Sequence, residues 1–238
     1  MKLAISIVIP FHNEELSLRI LIPHLIKELK KINKFTKAEV LLVDDCSSDN
    51  SLKYCKKFKK KFIKLIKLKK RSGQSGALKE GFIKAKYQYI LRMDADLQDD
   101  VRYLSKFIKT AIKKNPDLII GYRVKRNHNK VLVLASKIYD LIINIILRSN
   151  YYTLSSSYIV FKKKYLNLKR WMKNDHRYLP AIAISNGAKR VYYIKAKHIK
   201  RKFGVSKYNT IPKMIFGLPE LIFFLLRLKF GFYKKYKN

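Results

Sequence analysis

The chain has 238 residues, of which 48% are hydrophobic, so it can form one large packed domain and is too apolar for a disordered protein. Its 54 Lys and Arg residues against 16 Asp and Glu residues give a formal net charge of +38. This charge favours anionic partners such as nucleotide phosphates, nucleic acid or an acidic membrane surface, although a lysine-rich solvated surface would produce it as well. The only two cysteines, Cys46 and Cys55, exclude a disulfide framework and a four-cysteine zinc site, so we expect a reducing compartment.

The first half of the sequence alternates strand and helix patterns. Apolar runs predict strands at 3–9, 38–43, 62–68 and 87–93, and we expect Pro10 to end the first. Helices are predicted at 15–31, 47–61 and 77–85. Polar residues follow the N-terminal run at once, without a cleavage pattern of small residues, so we expect a buried strand there and no secretory signal. This alternation predicts an α/β fold with a mainly parallel sheet between helices.

The second half is less regular. We predict strands at 117–121, 158–161 and 190–196, and helices at 131–147 and 177–186, the latter ended by Gly187. Residues 215–226 are apolar but short, and Pro219 and Glu220 are expected to break them. Because basic and aromatic residues surround this segment, we predict an amphipathic helix lying in the headgroup layer of a membrane. A helix packed on the domain is the alternative.

Polar clusters follow the first four predicted strands, at 10–14, 44–45, 71–76 and 94–98. Ligands of parallel sheets bind beyond the carboxyl ends of the strands, so we expect these clusters to share one edge. Asp94 and Asp96 are separated by one residue directly after a strand, where two carboxylates can bind one Mg²⁺ or Mn²⁺ together with substrate phosphates. An Asp-x-Asp pair by itself is a weak signal, because acidic residues are common in surface loops.

Six motifs occur in order along nearly the whole chain, and together they resemble the family-2 glycosyltransferases with the GT-A fold. They are most similar to those of the polyprenyl-phosphate (dolichyl- or undecaprenyl-phosphate) sugar transferases. The motifs are residues 9–14 (IPFHNE), 43–49 (VDDCSSD), 73–78 (GQSGAL), 93–98 (MDADLQ), 121–123 (GYR) and 201–208 (RKFGVSKY). Residues 176–180 (HRYLP) and the final GVSKY point to the polyprenyl-phosphate branch.

The resemblance implies a GT-A catalytic domain at 1–208 and a membrane-associated tail at 209–238. It implies a GDP- or UDP-hexose donor and a nucleotide-sugar site formed by Pro10, His12, Glu14, Asp44, Asp45, Gly76, Asp94 and Ala95. The ligands of the Mg²⁺ or Mn²⁺ that bridges the donor diphosphate would be Asp94, Asp96 and Gln98.

The resemblance also implies which residues act on the phosphates. The catalytic residues would be Asp96, Arg123, Arg201 and Lys207, and the acceptor phosphate would be bound by Arg123, Ser206 and Lys207. A cation with preorganised guanidinium and ammonium groups stabilises the charge that develops on a departing nucleoside diphosphate.

Two enzyme functions remain open, and a third class is disfavoured. A polyprenyl phosphate is already anionic, so it would attack directly and in line, with inversion of the anomeric carbon. A hydroxyl of a glycan or lipid, as in cell-envelope polysaccharide synthesis, would need a general base, for which Asp175 or His176 is the nearest candidate. A basic nucleic-acid-binding module has no supporting helix-turn-helix, zinc-finger or stacking-sheet motif, so we expect no nucleic-acid partner.

The sequence departs from the family at three places. Cys46 stands where glycine is usual, which would add strain if φ is positive there. The segment 153–161 lacks the aspartate and the arginine that the family generally has near Thr153 and Ile159, which removes polar contacts on the acceptor side. Many relatives continue into transmembrane helices, whereas here we expect peripheral attachment to the cytoplasmic face of an anionic membrane, or attachment through a membrane partner subunit.

Overall fold

The computed structural model describes residues 3–32, 36–58, 61–122, 130–154, 156–197, 203 and 210–234. The strands are β1 (Leu3–Phe11), β2 (Thr36–Asp44), β3 (Ile63–Lys67), β4 (Tyr89–Arg92), β5 (Leu118–Tyr122), β6 (Ile159–Lys162) and β7 (Val191–Lys195). The helices are α1 (Glu15–Ile32), α2 (Ser51–Lys56), α3 (Gly73–Lys84), α4 (Leu104–Lys114), α5 (Lys130–Leu147), α6 (Leu179–Ser185) and α7 (Thr210–Lys229).

The seven strands form one sheet in the order β3-β2-β1-β4-β6-β5-β7. β1 pairs in parallel with β2 and β4, and β3 and β7 are also parallel to their neighbours. β6 is antiparallel to both β4 and β5. The carboxyl ends of β1 to β4 therefore meet at one edge, which we call the rim and define as residues 10–14, 44–50, 71–76 and 94–98. The predicted α/β class with a mainly parallel sheet is confirmed.

Helices cover both faces of the sheet, because successive side chains of a strand point to opposite sides. α1 and α4 pack on one face, where Leu25 and Phe107 are fully buried. α3, α5, α6 and α7 contribute to the core on the other face, where Phe82, Leu179 and Phe224 are fully buried. This arrangement leaves the rim as the place where the polar loops gather.

Three predicted boundaries next to the rim are wrong for local reasons. β1 continues through Pro10. The backbone nitrogen of Pro10, which has no hydrogen, faces β4 beyond the last β1–β4 pair (Val8 with Arg92), so no hydrogen bond between strands is lost there. The second helix begins only at Ser51, since the residues before it bond to the loop after β1. The third helix begins at Gly73, so most of the predicted glycine-containing loop is its first turn.

The segment predicted as one helix at 177–186 has two parts. A 3-10 turn at Asp175–Arg177 precedes α6, which begins at Leu179. Gly187 ends α6 with φ of 93°, and its N–H donates to the carbonyl of Ile184 at 2.8 Å. The predicted glycine cap is confirmed, because this left-handed conformation favours glycine.

The helix predicted at 215–226 is longer than expected, since α7 runs through Pro219 and Glu220 without a break. Phe224 stacks on Tyr178 with ring centroids 3.9 Å apart. Glu220 Oε2 lies 3.3 Å from Arg177 Nη1. One side of α7 therefore packs on the domain.

The opposite side of α7 is exposed. Its large exposed hydrophobic residues are Ile222, Phe223, Leu226 and, just after the helix, Phe230. Within the described ranges, none of the helices combines the length and apolar character needed to cross a membrane.

Candidate functional site

Hydrogen bonds join the loops after β1 and β2 into one surface. The backbone N–H of Asp45 donates to the last carbonyl of β1 at 2.9 Å, and His12 Nδ1 lies 2.9 Å from the carbonyl oxygen of Asp45. The Asn13 side chain donates to the Ser48 hydroxyl at 3.0 Å and accepts the Ser48 N–H at 2.8 Å. Glu14 donates its backbone N–H to a serine hydroxyl at the start of α2, at 2.9 Å. The structure thus brings His12 and Glu14 beside the Asp44-Asp45 pair.

The two aspartates after β2 differ in their access to a ligand. Asp44 is fully buried, and its Oδ1 accepts the N–H of Ser47 at 2.9 Å. Its Oδ2 has no partner among the described residues. Asp45 keeps a little exposed surface, and its Oδ1 accepts the N–H of Ser72 at 2.6 Å. Of the two, Asp45 is therefore the one with surface that a nucleotide could contact.

Gly76 has a steric role in this contact. A Cβ at Gly76 would lie 2.4 Å from the Cβ of Ser72, closer than real side chains approach. Glycine at position 76 therefore leaves room for the Ser72 side chain beside the first turn of α3, while the Ser72 N–H bonds to Asp45. The structure places Gly76 at the rim, with a role in packing.

Asp94 is held by two side chains from other parts of the chain. Gln74 Nε2 donates to Asp94 Oδ1 at 2.7 Å, and Arg92 Nη2 lies 3.5 Å from the same oxygen. Arg92 also donates from Nη1 to the carbonyl of His176 at 2.6 Å. These contacts connect the Asp-x-Asp motif with α3 and with the 3-10 turn before α6.

Asp96 lies at the other end of the motif, and its Oδ1 accepts the N–H of Gln98 at 3.0 Å. Carboxylate and amide oxygens suit a hard cation such as Mg²⁺ or Mn²⁺. In the part of the chain that the structure describes, no group of three His, Cys, Asp or Glu side chains could hold a metal. Two carboxylates of one motif can supply part of the coordination of such a cation, and substrate phosphates and water commonly supply the rest.

Pro10 and Ala95 lie at the rim but are buried. Ala95 packs into the core on the side of α1 and α4, between the two aspartates of the motif. Neither residue therefore offers an exposed side chain to a nucleotide sugar.

Three residues that are not glycine but have positive φ lie in or beside the rim loops. They are Asn13, Cys46 and Leu97, with φ of 55°, 57° and 63°. Such left-handed backbone costs energy for residues with a side chain and often occurs at functional sites. The strain expected for Cys46 is thus present, and its Sγ donates to the carbonyl of Leu68 at 3.3 Å.

Asp175 and His176, the candidate bases for a hydroxyl acceptor, are poorly placed for that role. Asp175 is fully buried and accepts hydrogen bonds from the Met172 N–H and the Tyr233 hydroxyl, both at 2.7 Å. Arg227 lies 3.4 Å from the same carboxylate. Burial, with Arg92 and another arginine nearby, lowers the pKa of His176 to about 2, so this imidazole is a very weak base.

On the far side of the motif, the loop before β6 reaches the rim. Ser157 donates its hydroxyl hydrogen to Asp99 at 3.1 Å. Thr153 and Ile159, where the family generally has polar partners, are both buried. The four residues expected to act on the phosphates lie outside the described residues: Arg123, Arg201, Ser206 and Lys207.

Three residues that bond to Asp94 were not predicted as site residues from the sequence. Gln74 and Arg92 contact its carboxylate, and Asp99 accepts its backbone N–H. Gln74 and Asp99 lie within or beside recognised motifs, so their position was a usable signal. Arg92 offered a second signal, since an arginine inside an otherwise apolar strand needs a buried partner.

The sequence profile of glycosyl transferase family 2 matches residues 6–170. Dodecaprenyl-phosphate galacturonate synthase from Rhizobium johnstonii is 26% identical over 231 residues, covering 94% of this chain and 68% of that protein. The undecaprenyl-phosphate 4-deoxy-4-formamido-L-arabinose transferase of Pectobacterium carotovorum is 29% identical over 213 residues, covering 87% of this chain and 63% of that protein. The chain spans 63% to 68% of the length of these two relatives.

Solved structures show the same architecture. Glucosyl-3-phosphoglycerate synthase from Mycobacterium tuberculosis, in complex with Mn²⁺, UDP and glucosyl-3-phosphoglycerate, superposes with a TM-score of 0.65 at 12% identity, covering 94% of this chain and 79% of that chain. TarS from S. aureus in complex with UDP-GlcNAc gives a TM-score of 0.62 at 20% identity, covering 95% and 67%. The GT-A fold predicted from the sequence is confirmed.

Proposed function

Since the chain belongs to glycosyl transferase family 2, we propose that it transfers a sugar from a nucleotide sugar to a polyprenyl phosphate. The family predicted from the ordered motifs is confirmed, and with it the prediction of a glycosyltransferase. In finer terms, we propose a GDP- or UDP-linked hexose as donor, a dolichyl- or undecaprenyl-type acceptor, and Mg²⁺ or Mn²⁺ as cofactor.

One observation carries the donor side of this proposal. The structure links Asp45 to Ser72, and Gln74 of the same segment to Asp94, through hydrogen bonds of 2.6 and 2.7 Å. The side of the rim proposed for the base and ribose is thereby connected to the side proposed for the cation. A bound cation supplies Lewis-acid stabilisation of the leaving diphosphate. Asp94 and Asp96, with Gln98, would hold it.

Arg123, Arg201, Ser206 and Lys207 are proposed to complete the phosphate sites. Arginine offers a planar pair of donors that suits a phosphate, whereas lysine acts as a compact positive charge. A lipid phosphate oxygen guided by such groups would bond to the anomeric carbon in line, while the bond from this carbon to the nucleoside diphosphate breaks and the carbon is inverted.

The acceptor side is supported by the relatives and by the burial of the two candidate bases, Asp175 and His176. Both curated relatives are named for an acceptor of the polyprenyl-phosphate class. Asp175 is enclosed by its partners and His176 holds a proton weakly, so neither favours a hydroxyl acceptor. A phosphate acceptor needs no proton removed.

We propose that the chain binds the cytoplasmic face of an anionic membrane, where its acceptor resides. In support, α5 and α7 both carry exposed apolar residues, and basic residues such as Arg148 and Lys229 accompany them. The exposed apolar residues of α5 are Leu134, Ile138, Leu141 and Ile145. In this proposal the tail at 209–238 binds lipid with one side of α7 and the domain with the other. Attachment through a membrane partner subunit is the alternative.

Transfer assays test this function directly. Purified protein is incubated with radiolabelled UDP- or GDP-hexoses and Mn²⁺, and with either undecaprenyl phosphate or undecaprenol as acceptor. We expect label in the lipid phosphate alone and loss of transfer in excess EDTA. Label only on the alcohol would contradict the proposal and support the hydroxyl-acceptor function.

A further inference from the structure

Arg92 is a buried cation at the end of β4, two residues before Asp94. Only 3% of its surface is exposed. Its Nη1 donates to the His176 carbonyl at 2.6 Å and its Nη2 lies 3.5 Å from Asp94 Oδ1, while Nε has no partner among the described residues. A buried cation is costly unless a carboxylate and further acceptors compensate it. Among the described ion pairs, Asp94 is the carboxylate that pairs with Arg92.

Arg92 also lies directly opposite Ile159 in the β4–β6 pair. Opposed residues of antiparallel strands project to the same face, with Cβ atoms about 5 Å apart. Arg92 therefore brings a guanidinium from the neighbouring strand to the same part of the sheet.

Gln74, in the first turn of α3, also contacts Asp94. Its amide donates to the same Oδ1 that Arg92 contacts, at 2.7 Å. Two donors on one oxygen fix the rotamer of the carboxylate. The Asp94 side chain remains 25% exposed, and none of the described side chains donates to its Oδ2.

We infer that Arg92 is a positioning residue for the donor site, a role that rests on the proposed function. It holds Asp94 through Oδ1, so that Oδ2 is presented to the nucleotide sugar or its cation, and it ties Asp94 to residues 172–178. A guanidinium can bridge the two acceptors because its donors form a rigid planar fork, whereas a lysine ammonium is a single point charge on a flexible stem.

Hydrogen exchange tests the positioning itself, whatever the substrate. In Arg92→Met, we expect amide exchange to accelerate about tenfold at both 94–98 and 172–178. Lys162→Met is the matched control, because Lys162 is a buried cation of the adjacent strand that pairs with Asp117 at 3.1 Å, away from the rim. Unchanged exchange in both segments of Arg92→Met, or equal acceleration in the control, would overturn the inference.

Calorimetric titration of the protein with UDP or GDP in the presence of MnCl₂ tests the consequence for the donor site. We expect Arg92→Met to bind the better nucleotide about tenfold more weakly, and Lys162→Met to bind it as the wild type does. Arg92→Lys should remain weak, and Arg92→Ile/Ile159→Arg should recover most of the affinity.

Wild-type affinity in Arg92→Met, or no recovery in the double variant, would contradict the role of a guanidinium at this place. If the wild type binds neither nucleotide, the proposed function fails. The exchange experiment then still decides whether Arg92 positions Asp94.

Discussion

At the scale of single residues, a variant of Asp96 tests the proposed cation site separately from folding, since this side chain is half-buried at the rim and outside the hydrophobic core. We expect Asp96→Ala to lower metal-dependent transfer at least about a hundredfold, because the cation loses a carboxylate ligand. Its free energy of unfolding should fall by only about 1 kcal/mol, the value of the lost bond to the Gln98 N–H.

Transfer assays and urea unfolding measure the two effects of Asp96→Ala. Glu80→Ala, on the later turns of α3, is the matched control and should leave transfer unchanged. Full activity of Asp96→Ala in EDTA would show that the cation site has been assigned wrongly.

Cys46 allows a second prediction, because its φ of 57° favours glycine. We expect Cys46→Gly to be as stable as the wild type or more stable by up to about 1 kcal/mol, since relief of strain outweighs the added chain entropy. Cys46→Ala keeps the strain and loses the Sγ contact to Leu68, so it should be less stable than both. Urea unfolding of the three proteins checks this order, and an alanine variant more stable than the glycine variant would contradict it.

At the scale of elements, adjacent phenylalanines of α7 have opposite environments. Phe224 is fully buried against Tyr178, whereas Phe223 is 66% exposed. We expect Phe224→Ala to loosen α7 and speed its cleavage by trypsin, because truncating a buried phenylalanine costs about 3–5 kcal/mol. Phe223→Ala should leave stability within about 0.5 kcal/mol.

The same two variants separate packing from lipid binding. Sedimentation with vesicles rich in acidic phospholipid should show roughly tenfold weaker binding for Phe223→Ala, because the exposed ring no longer enters the lipid. Unchanged binding of this variant would mean that α7 does not meet the membrane through this side.

An element is easiest to predict from the sequence when a pattern of neighbouring residues determines it. The core strands β1 to β4 were predictable, because buried parallel strands appear as continuous apolar runs. α4 was missed, although its buried Leu104, Phe107, Ile108 and Ala111 have helical spacing. The start of α3 was placed too late, because glycine and serine at 73–76 suggest a loop by composition.

The candidate site likewise combines residues that local patterns predict with contacts between residues far apart in the sequence. The acidic pair at the rim was predictable from its position after a strand, whereas the contact of Arg92 with the His176 carbonyl joins residues 84 positions apart. Such a contact depends on the packing of β4 against the turn before α6, which local patterns do not encode. The same holds for Asp175, whose partner Tyr233 lies 58 positions away.

At the scale of the whole molecule, the buried Asp175 makes stability depend on pH. Burial raises the pKa of this carboxyl from 3.8 to about 6, against the opposing effects of the Met172 N–H, Tyr233 and Arg227, and with a further rise from Glu220. The protonated form is thus favoured in the folded state. Its contribution to stability is complete below the unfolded pKa and is lost as the pH rises through about 6.

Asp175→Asn should remove this dependence. We expect the wild type to lose up to about 3 kcal/mol of stability relative to the variant between pH 4 and pH 7. Urea unfolding of both proteins at the two pH values measures this difference. A constant difference would mean that Asp175 has the same pKa in the folded and unfolded chain.

The reversed direction of β6 has a consequence for how such a protein can diversify. The residues proposed to bind the donor lie on β1 and β2 and in the segments that follow β1 to β4, all within residues 3–98. The loop that enters β6 lies on the other side of the acidic motif, where Ser157 donates to Asp99 at 3.1 Å. Under the proposed function, replacements in the loop before β6 would change the acceptor side without altering the strands that carry the proposed donor site. We therefore expect a change of acceptor to require substitutions in the second half of the sheet only.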